Sequence, residues 1–180
     1  MERRSIFHLV SKISRQAGVN CVLIGGFAVN YYKVTRQTAD VDFMITEEDY
    51  RKIEALIKEA EYKEDQSHGN FIRLKSTGSK FFMDVDFMFV DKNTLDKILD
   101  NGKKMTIAGQ EFTVPSLNDL IALKLHALKY NAKLRETKDL PDIIDLIRIN
   151  NIEYKSKDFH DLCFKYGNAE TYEKIMKTLE

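Results

Sequence analysis

Residues 21–45, CVLIGGFAVNYYKVTRQTADVDFMI, decide how this chain is read. An apolar run ends at Gly25-Gly26, a short helical segment and a polar loop follow, and a second apolar run carries Asp40 and Asp42 on either side of Val41. Side chains alternate along a strand, so Asp40 and Asp42 project from one face while Val41 turns into the core. Two like charges so close together are costly unless a cation sits between them, and a divalent metal is the usual remedy. Glycine ahead of a helix exposes backbone N–H groups at a positive dipole end, which suits a phosphate. A Gly-Gly pair is also an ordinary turn; its weight here comes from the acidic strand that follows it.

Residues 80–90, KFFMDVDFMFV, repeat the pattern, with Asp84 and Asp86 on a common face inside an apolar run. One acidic pair could be an exposed edge. Two pairs, each in a segment otherwise fit for burial, point to adjacent strands that bring their carboxylates to one place, because buried charges need partners. That arrangement serves two-metal phosphoryl or nucleotidyl transfer. The competing reading is a half-exposed sheet whose aspartates are solvated.

Composition narrows the field around these strands. At 180 residues the chain can form one sizeable core with a helical appendage. Lys plus Arg number 28 and Asp plus Glu number 28, so the formal charge is zero. This disfavours a global electrostatic grip on nucleic acid and leaves room for a local basic patch. Charged residues at 31% and apolar ones at 43% give a globular balance and argue against disorder. Cys21 and Cys163 lie far apart; Cys21, in an apolar strand, reads as a buried free thiol in a reducing compartment, and no metal-ligand cysteine spacing exists. The start, MERRSIFHLV, lacks the apolar stretch of a signal peptide, and no run reaches membrane-spanning length, so the expectation is a cytoplasmic protein without membrane partners.

Periodicity sets out the remaining elements. Ile6, Val10, Ile13 and Ala17 predict a helix over 3–17, stopped by Gly18. A strand is expected over 19–24 and a helix over 27–32. Thr46 caps a helix whose first turn holds Glu47, Glu48 and Asp49. Hairpins are expected over 62–75, turning near Gly69, and over 103–114, turning at 108–110; helices over 93–101, 117–130, 138–150, 156–166 and 169–179. Without a Gly/Pro/Ser-rich linker, the expected organisation is a sheet domain over 1–115 and a C-terminal helical part over 116–180, packed on it as a single compact unit.

Lys124 breaks a pattern. In SLNDLIALKLHALKY, Leu117, Leu120, Ile121 and Leu128 form an apolar stripe, and Lys124 falls inside it, four residues from both Leu120 and Leu128. A lysine on a buried face is expensive unless its ammonium reaches a carboxylate cluster or a bound phosphate; the plainer alternative is a snorkelling lysine at an edge. In KDLPD, Asp139 reads equally as a helix N-cap and as a site residue, with Pro141 in the first turn and Asp142 in the capping-box position. Asp145 and His126 are expected to face solvent.

GGFA, then RQTADVDFMI, then the later strand with its aspartates resemble the signature of the nucleotidyltransferase superfamily, with the polymerase-beta-like fold. PSLNDLIALKLHAL and KDLPDIIDLI look like the branch that includes abortive-infection, type IV toxin-type enzymes more than the antibiotic-modifying branch. The resemblance implies an α+β fold, a mixed sheet flanked by helices. It also implies transfer of a nucleoside monophosphate from an NTP to an acceptor hydroxyl, with magnesium, or manganese, as cofactor. Gly25 and Gly26 match the turn that contacts the triphosphate. Asp40 and Asp42 match the metal-binding pair, and Asp86 the third carboxylate, with Asp84 as its competitor. Lys124 matches the lysine after the sheet, and Asp139 the acid of a Lys-Asp motif. Arg36 is placed to meet a phosphate or a surface acid. Many relatives have Gly-Ser where this chain has Gly25-Gly26. The implied acceptor is tRNA, a protein or a small molecule, and an antitoxin is an implied partner. Lys33, Arg36, Arg73, Lys75, Lys80, Lys129, Lys133, Arg135 and Lys138 would favour RNA if they gathered beside the acids. A nucleotide-binding module without turnover and a metal-dependent hydrolase are the competing functions.

Overall fold

Strands scattered along the chain assemble into one mixed sheet. The computed structural model describes residues 5–78 and 83–180. In chain order the described elements are α1 (Ile6–Ala17), β1 (Val22–Ile24), α2 (Gly25–Tyr31), β2 (Asp40–Ile45), α3 (Glu47–Glu59), β3 (Tyr62–His68), β4 (Phe71–Ser76) and β5 (Asp84–Phe89). They continue with α4 (Lys92–Asn101), β6 (Lys103–Ile107), β7 (Gln110–Val114), α5 (Leu117–Ile149), α6 (Lys157–Tyr166) and α7 (Ala169–Leu179). The chain divides into two compact units: Met1–Ala28 with Gln37–Ser116, and Val29–Arg36 with Leu117–Glu180. Among the described residues no helix is long and apolar enough to cross a membrane.

The first unit holds the sheet, in the order β3-β4-β5-β2-β1-β7-β6. The β2–β5 and β1–β7 pairs are parallel; the other neighbours are antiparallel. This is the expected mixed sheet with flanking helices. Its central strands are apolar because they are covered: Val22, Leu23, Val41, Phe43, Val85 and Phe87 are buried, with Ile6, Val10 and Ile13 of α1, Tyr50, Ile53 and Ile57 of α3, and Leu95 and Ile98 of α4. Beyond Tyr62, β3 is exposed and rich in charge, which suits an edge strand. Helix α1 closes at Gly18, whose φ of 64° is the left-handed value glycine tolerates, and the Val19 N–H returns to the Ser14 carbonyl at 3.0 Å. That closure occupies residue 19, so β1 begins at Val22 and not at the expected position 19. The start of the expected α1 at residue 3, and residues 79–82 ahead of β5, lie outside the described residues. Cys21 is half-buried and Cys163 buried, and both are free thiols; burial pushes the Cys21 thiol up to about 11.

In the second unit the chain doubles back. Lys124 Nζ lies 2.8 Å from Asp139 Oδ1, although 15 residues separate them. A continuous helix would hold them about 22 Å apart, at 1.5 Å per residue. The reversal falls at Asn131, midway between the two and non-helical at φ −147°, ψ 46°. The two arms of α5 pack with α6 and α7 around Leu120, Ile121, Leu125, Leu128, Ile143, Leu146, Phe159, Cys163 and Ile175. Asp139 is therefore not a helix cap, nor does Asp142 close a capping box. The second arm is already helical ahead of them, and both carboxylates turn inward to Lys124.

Candidate active site

Strands β2 and β5 run parallel in a register that places Asp40 opposite Asp84 and Asp42 opposite Asp86. Register partners on neighbouring strands point the same way, so the two Asp-Val-Asp motifs set four carboxylates on one face while Val41 and Val85 are buried on the other. The depths differ. Asp86 is 4% exposed, whereas Asp40, Asp42 and Asp84 are half-buried. Asp86 is thus the deeper of the two candidates for a third carboxylate.

The charge opposite them comes from the next strand. Arg73 on β4 is the register partner of Asp86. Its Nε donates to Asp86 Oδ1 at 2.8 Å, one Nη donates to Asp86 Oδ2, and the same Nη reaches Asp40 Oδ2 at 3.4 Å. The hydrogen bond to Asp86, then the charges of Asp86, Asp40 and Asp42, hold the guanidinium well above its ordinary range against the opposing effect of burial. The planar fork matches a carboxylate edge, which is how arginine makes such pairs. Sequence reading placed Arg73 among general basic residues and did not assign it to the acids. Alternation in β4, with Ile72 and Leu74 buried, puts Arg73 on the opposite face, but the acid it meets depends on a register that sequence does not print.

The glycine turn abuts the same face. Gly25 has φ 65°, and a Cβ built on it would lie 1.9 Å from Asp42 Oδ2. A Cβ on Gly26 would lie 2.7 Å from Thr38 Cβ and Oγ1. Thr38 in turn donates to the Asp40 carbonyl at 3.0 Å and sits 3.3 Å from Asp40 Oδ1. Side-chain packing against Thr38 therefore accounts for glycine at 26. Thr38, which steadies Asp40, is a second residue the sequence reading missed.

A divalent ion fits the chemistry of this face, since carboxylate oxygens are the ligands hard cations prefer. Among the described residues no three His, Cys, Asp or Glu side chains are drawn together tightly enough to hold one, and Arg73 stands among the carboxylates.

The remaining expected site residues lie in the second unit. Lys124 is 6% exposed and donates to Asp139 at 2.8 Å and to Asp142 at 2.6 Å. Arg36 reaches Asp142 at 2.7 Å, and Asn30 grips the Arg36 backbone through its N–H and carbonyl at 2.9 and 3.0 Å. Asp142, read from sequence as a capping residue, thus bridges two cations. Asp139 Oδ2 is buried without a hydrogen-bond partner; Arg135 Nη1, at 4.0 Å, falls short of one. In sum, Asp40, Asp42 and Asp86 gather with Gly25 in one unit, and Arg36, Lys124 and Asp139 gather with Asp142 in the other.

A mixed sheet carrying Asp-x-Asp on one central strand, a further aspartate on its parallel neighbour and a glycine turn against them defines a nucleotidyltransferase. The chain belongs to a family described as nucleotidyl transferases of unknown function (DUF2204), whose model matches residues 2–179. Solved structures agree on the fold. The antibiotic-resistance factor ANT(2'')-Ia, in complex with adenylyl-2''-tobramycin, is 14% identical over 97% of this chain and 94% of that one, with a TM-score of 0.58. The lincosamide antibiotic adenylyltransferase LnuA, bound to lincomycin, is 17% identical over 78% and 93%, with a TM-score of 0.52. A nucleotidyltransferase-like protein from Paracoccidioides brasiliensis is 17% identical over 96% and 90%, with a TM-score of 0.55. No curated protein matches the chain.

Proposed function

We propose that this nucleotidyltransferase moves a nucleoside monophosphate from an NTP to an acceptor hydroxyl, releasing pyrophosphate, and that Asp40, Asp42 and Asp86 are the ligands for magnesium. The observation that carries the reading is the register of β2 on β5. It sets the Asp-x-Asp pair beside Asp86, with Gly25 packed on Asp42. A divalent cation held there would neutralise phosphoryl charge and acidify the attacking hydroxyl. Asp86 accepts the hydroxyl proton on a carboxylate oxygen once Arg73 releases it. Gly25 and Gly26 offer bare backbone to the triphosphate. Lys124 spends two of its three N–H donors on Asp139 and Asp142; the third, with Arg36, is assigned to phosphate charge. Asp139 is assigned to the nucleotide site through the Lys124 ammonium that it holds.

For the acceptor, the second unit, taken alone, offers a surface suited to RNA. Lys129, Lys133, Arg135 and Lys138 are exposed around the reversal of α5, and Tyr130 there is 71% exposed with Lys129 Nζ 5.7 Å from its ring. Cations beside an exposed aromatic ring suit a phosphate backbone and a stacked base. The test is transfer of label from each α-labelled NTP, with magnesium, onto total RNA, total protein, tobramycin and lincomycin, with Asp40→Ala/Asp42→Ala alongside. Label on RNA that vanishes in the variant is expected. Label on an antibiotic or a protein instead would reassign the acceptor, and transfer untouched by Asp42→Ala would overturn the scheme.

A further inference from the structure

The acidic face carries a cation of its own. Asp40, Asp42, Asp84 and Asp86 share it by strand register, and Arg73 is bonded to two of them. Lys75, two residues along β4 on the same side of the strand, is bonded instead to Asp65 on β3 at 3.0 Å. Arg73 therefore supplies the counter-charge seen on this face among the described residues. It holds both oxygens of the deepest carboxylate and one oxygen of Asp40, which are the atoms a divalent cation needs.

We propose that Arg73 is a resident counter-cation that competes with the divalent metal, so that metal enters this face by exchange with the guanidinium and binds poorly until a nucleotide offers the guanidinium another anion. This rests on the assignment of Asp40, Asp42 and Asp86 as metal ligands. A guanidinium fork on both Asp86 oxygens takes up their charge, blocks and repels a second cation, and a buried carboxylate cannot stand unpaired, so Asp86 exchanges one partner for the other. A triphosphate coordinated to the incoming metal brings phosphate oxygens beside the displaced guanidinium, whose fork fits phosphate as it fits carboxylate. Metal and nucleotide then bind with positive coupling, and Arg73 is the residue through which they are coupled. Arg73 is a positioning residue in this role: it withholds Asp86 from the metal in the free protein.

The experiment is Mn2+ binding to the full chain without turnover, followed through the EPR signal of free Mn2+, for the unchanged protein, Arg73→Ala and Arg73→Lys. Without nucleotide, Arg73→Ala is expected to bind Mn2+ about tenfold tighter, a factor equivalent to about 1.4 kcal/mol. Arg73→Lys, which keeps the charge and loses the fork, is expected to fall between the two. A non-hydrolysable NTP should tighten Mn2+ binding in the unchanged protein by more than in Arg73→Ala. Equal or weaker Mn2+ binding in the folded variants would overturn the proposal; if Arg73→Ala fails to fold, Arg73→Lys decides it alone. Tighter binding without any detectable transfer would leave this inference standing and remove the proposed reaction. Metal-dependent transfer with no change in Mn2+ affinity would do the reverse.

Discussion

Gly25 shows how much one residue carries. Its φ of 65° is a left-handed conformation that costs an L-residue about 1–2 kcal/mol. An added methyl would also lie 1.9 Å from Asp42 Oδ2, so the carboxylate must move. Gly25→Ala is accordingly expected to lower stability by about 1–2 kcal/mol and, through displacement of Asp42, to slow transfer by roughly 100-fold. Gly69→Ala is the control: φ there is 52° with nothing within 4 Å of the added Cβ, so stability should fall while transfer is kept. Urea denaturation and label transfer on both variants check this; equal activity in the two would remove the role given to the Gly25–Asp42 contact. At this scale sequence showed the aspartates and the glycines, because Asp-x-Asp in an apolar run is conspicuous. It could not show Arg73 or Thr38. Their significance lies in which atoms they touch, and that is set by strand register and loop closure.

Helix α5 makes the corresponding point for an element. The lysine out of place in its stripe was legible from the 3.6-residue period, and Lys124 is indeed buried. The reversal at Asn131 was not legible, since neither glycine nor proline marks it; the helices expected over 117–130 and 138–150 leave the residues between them unassigned. KDLPD looks like a cap to any local reading, because Asp139 and Asp142 find their partner on the other arm. The pairing yields a prediction that separates charge balance from packing. Lys124→Met leaves Asp139 with no cation nearer than the exposed Arg135 guanidinium at 4.0 Å and should cost about 3–5 kcal/mol. Lys124→Met/Asp139→Leu removes both charges and leaves Asp142 paired with Arg36 at 2.7 Å. The double variant should therefore be more stable than the single one by about 1–3 kcal/mol, since a buried pair replaced by apolar groups of similar volume is often tolerated. Urea melts of the two proteins decide it; a double variant no more stable than the single would mean that packing around Lys124, and not charge balance, sets the cost.

For the molecule as a whole, the class of fold followed from counting elements and their periods, but the order of the strands did not. Neighbours such as β1 with β7 are brought together across almost the full length of the sheet region, and no local pattern encodes that choice. The second unit is assembled from two stretches of chain. It is not residues 117–180 alone, because Val29–Arg36 belongs to it. That short segment supplies Val29, fully buried, and Val34, 4% exposed. It also supplies the Tyr32 carbonyl, which accepts from Asn150 at 3.1 Å, and the guanidinium of Arg36, which answers Asp142. A fragment of residues 117–180 would lose those apolar side chains and would carry two buried carboxylates against one buried ammonium. Helix-forming sequence survives such a cut, whereas a unique packed core does not. The fragment is expected to show helical circular dichroism without a cooperative thermal transition, and the full chain to unfold cooperatively. A sharp, two-state melt of 117–180 would show that Val29–Arg36 is a passenger on a self-sufficient helical domain. Its absence would make the polar loop that follows the glycine turn a structural member of the unit holding Lys124, so that substitutions in the loop, Arg36→Met first, should register in the stability of the helices as well as in transfer.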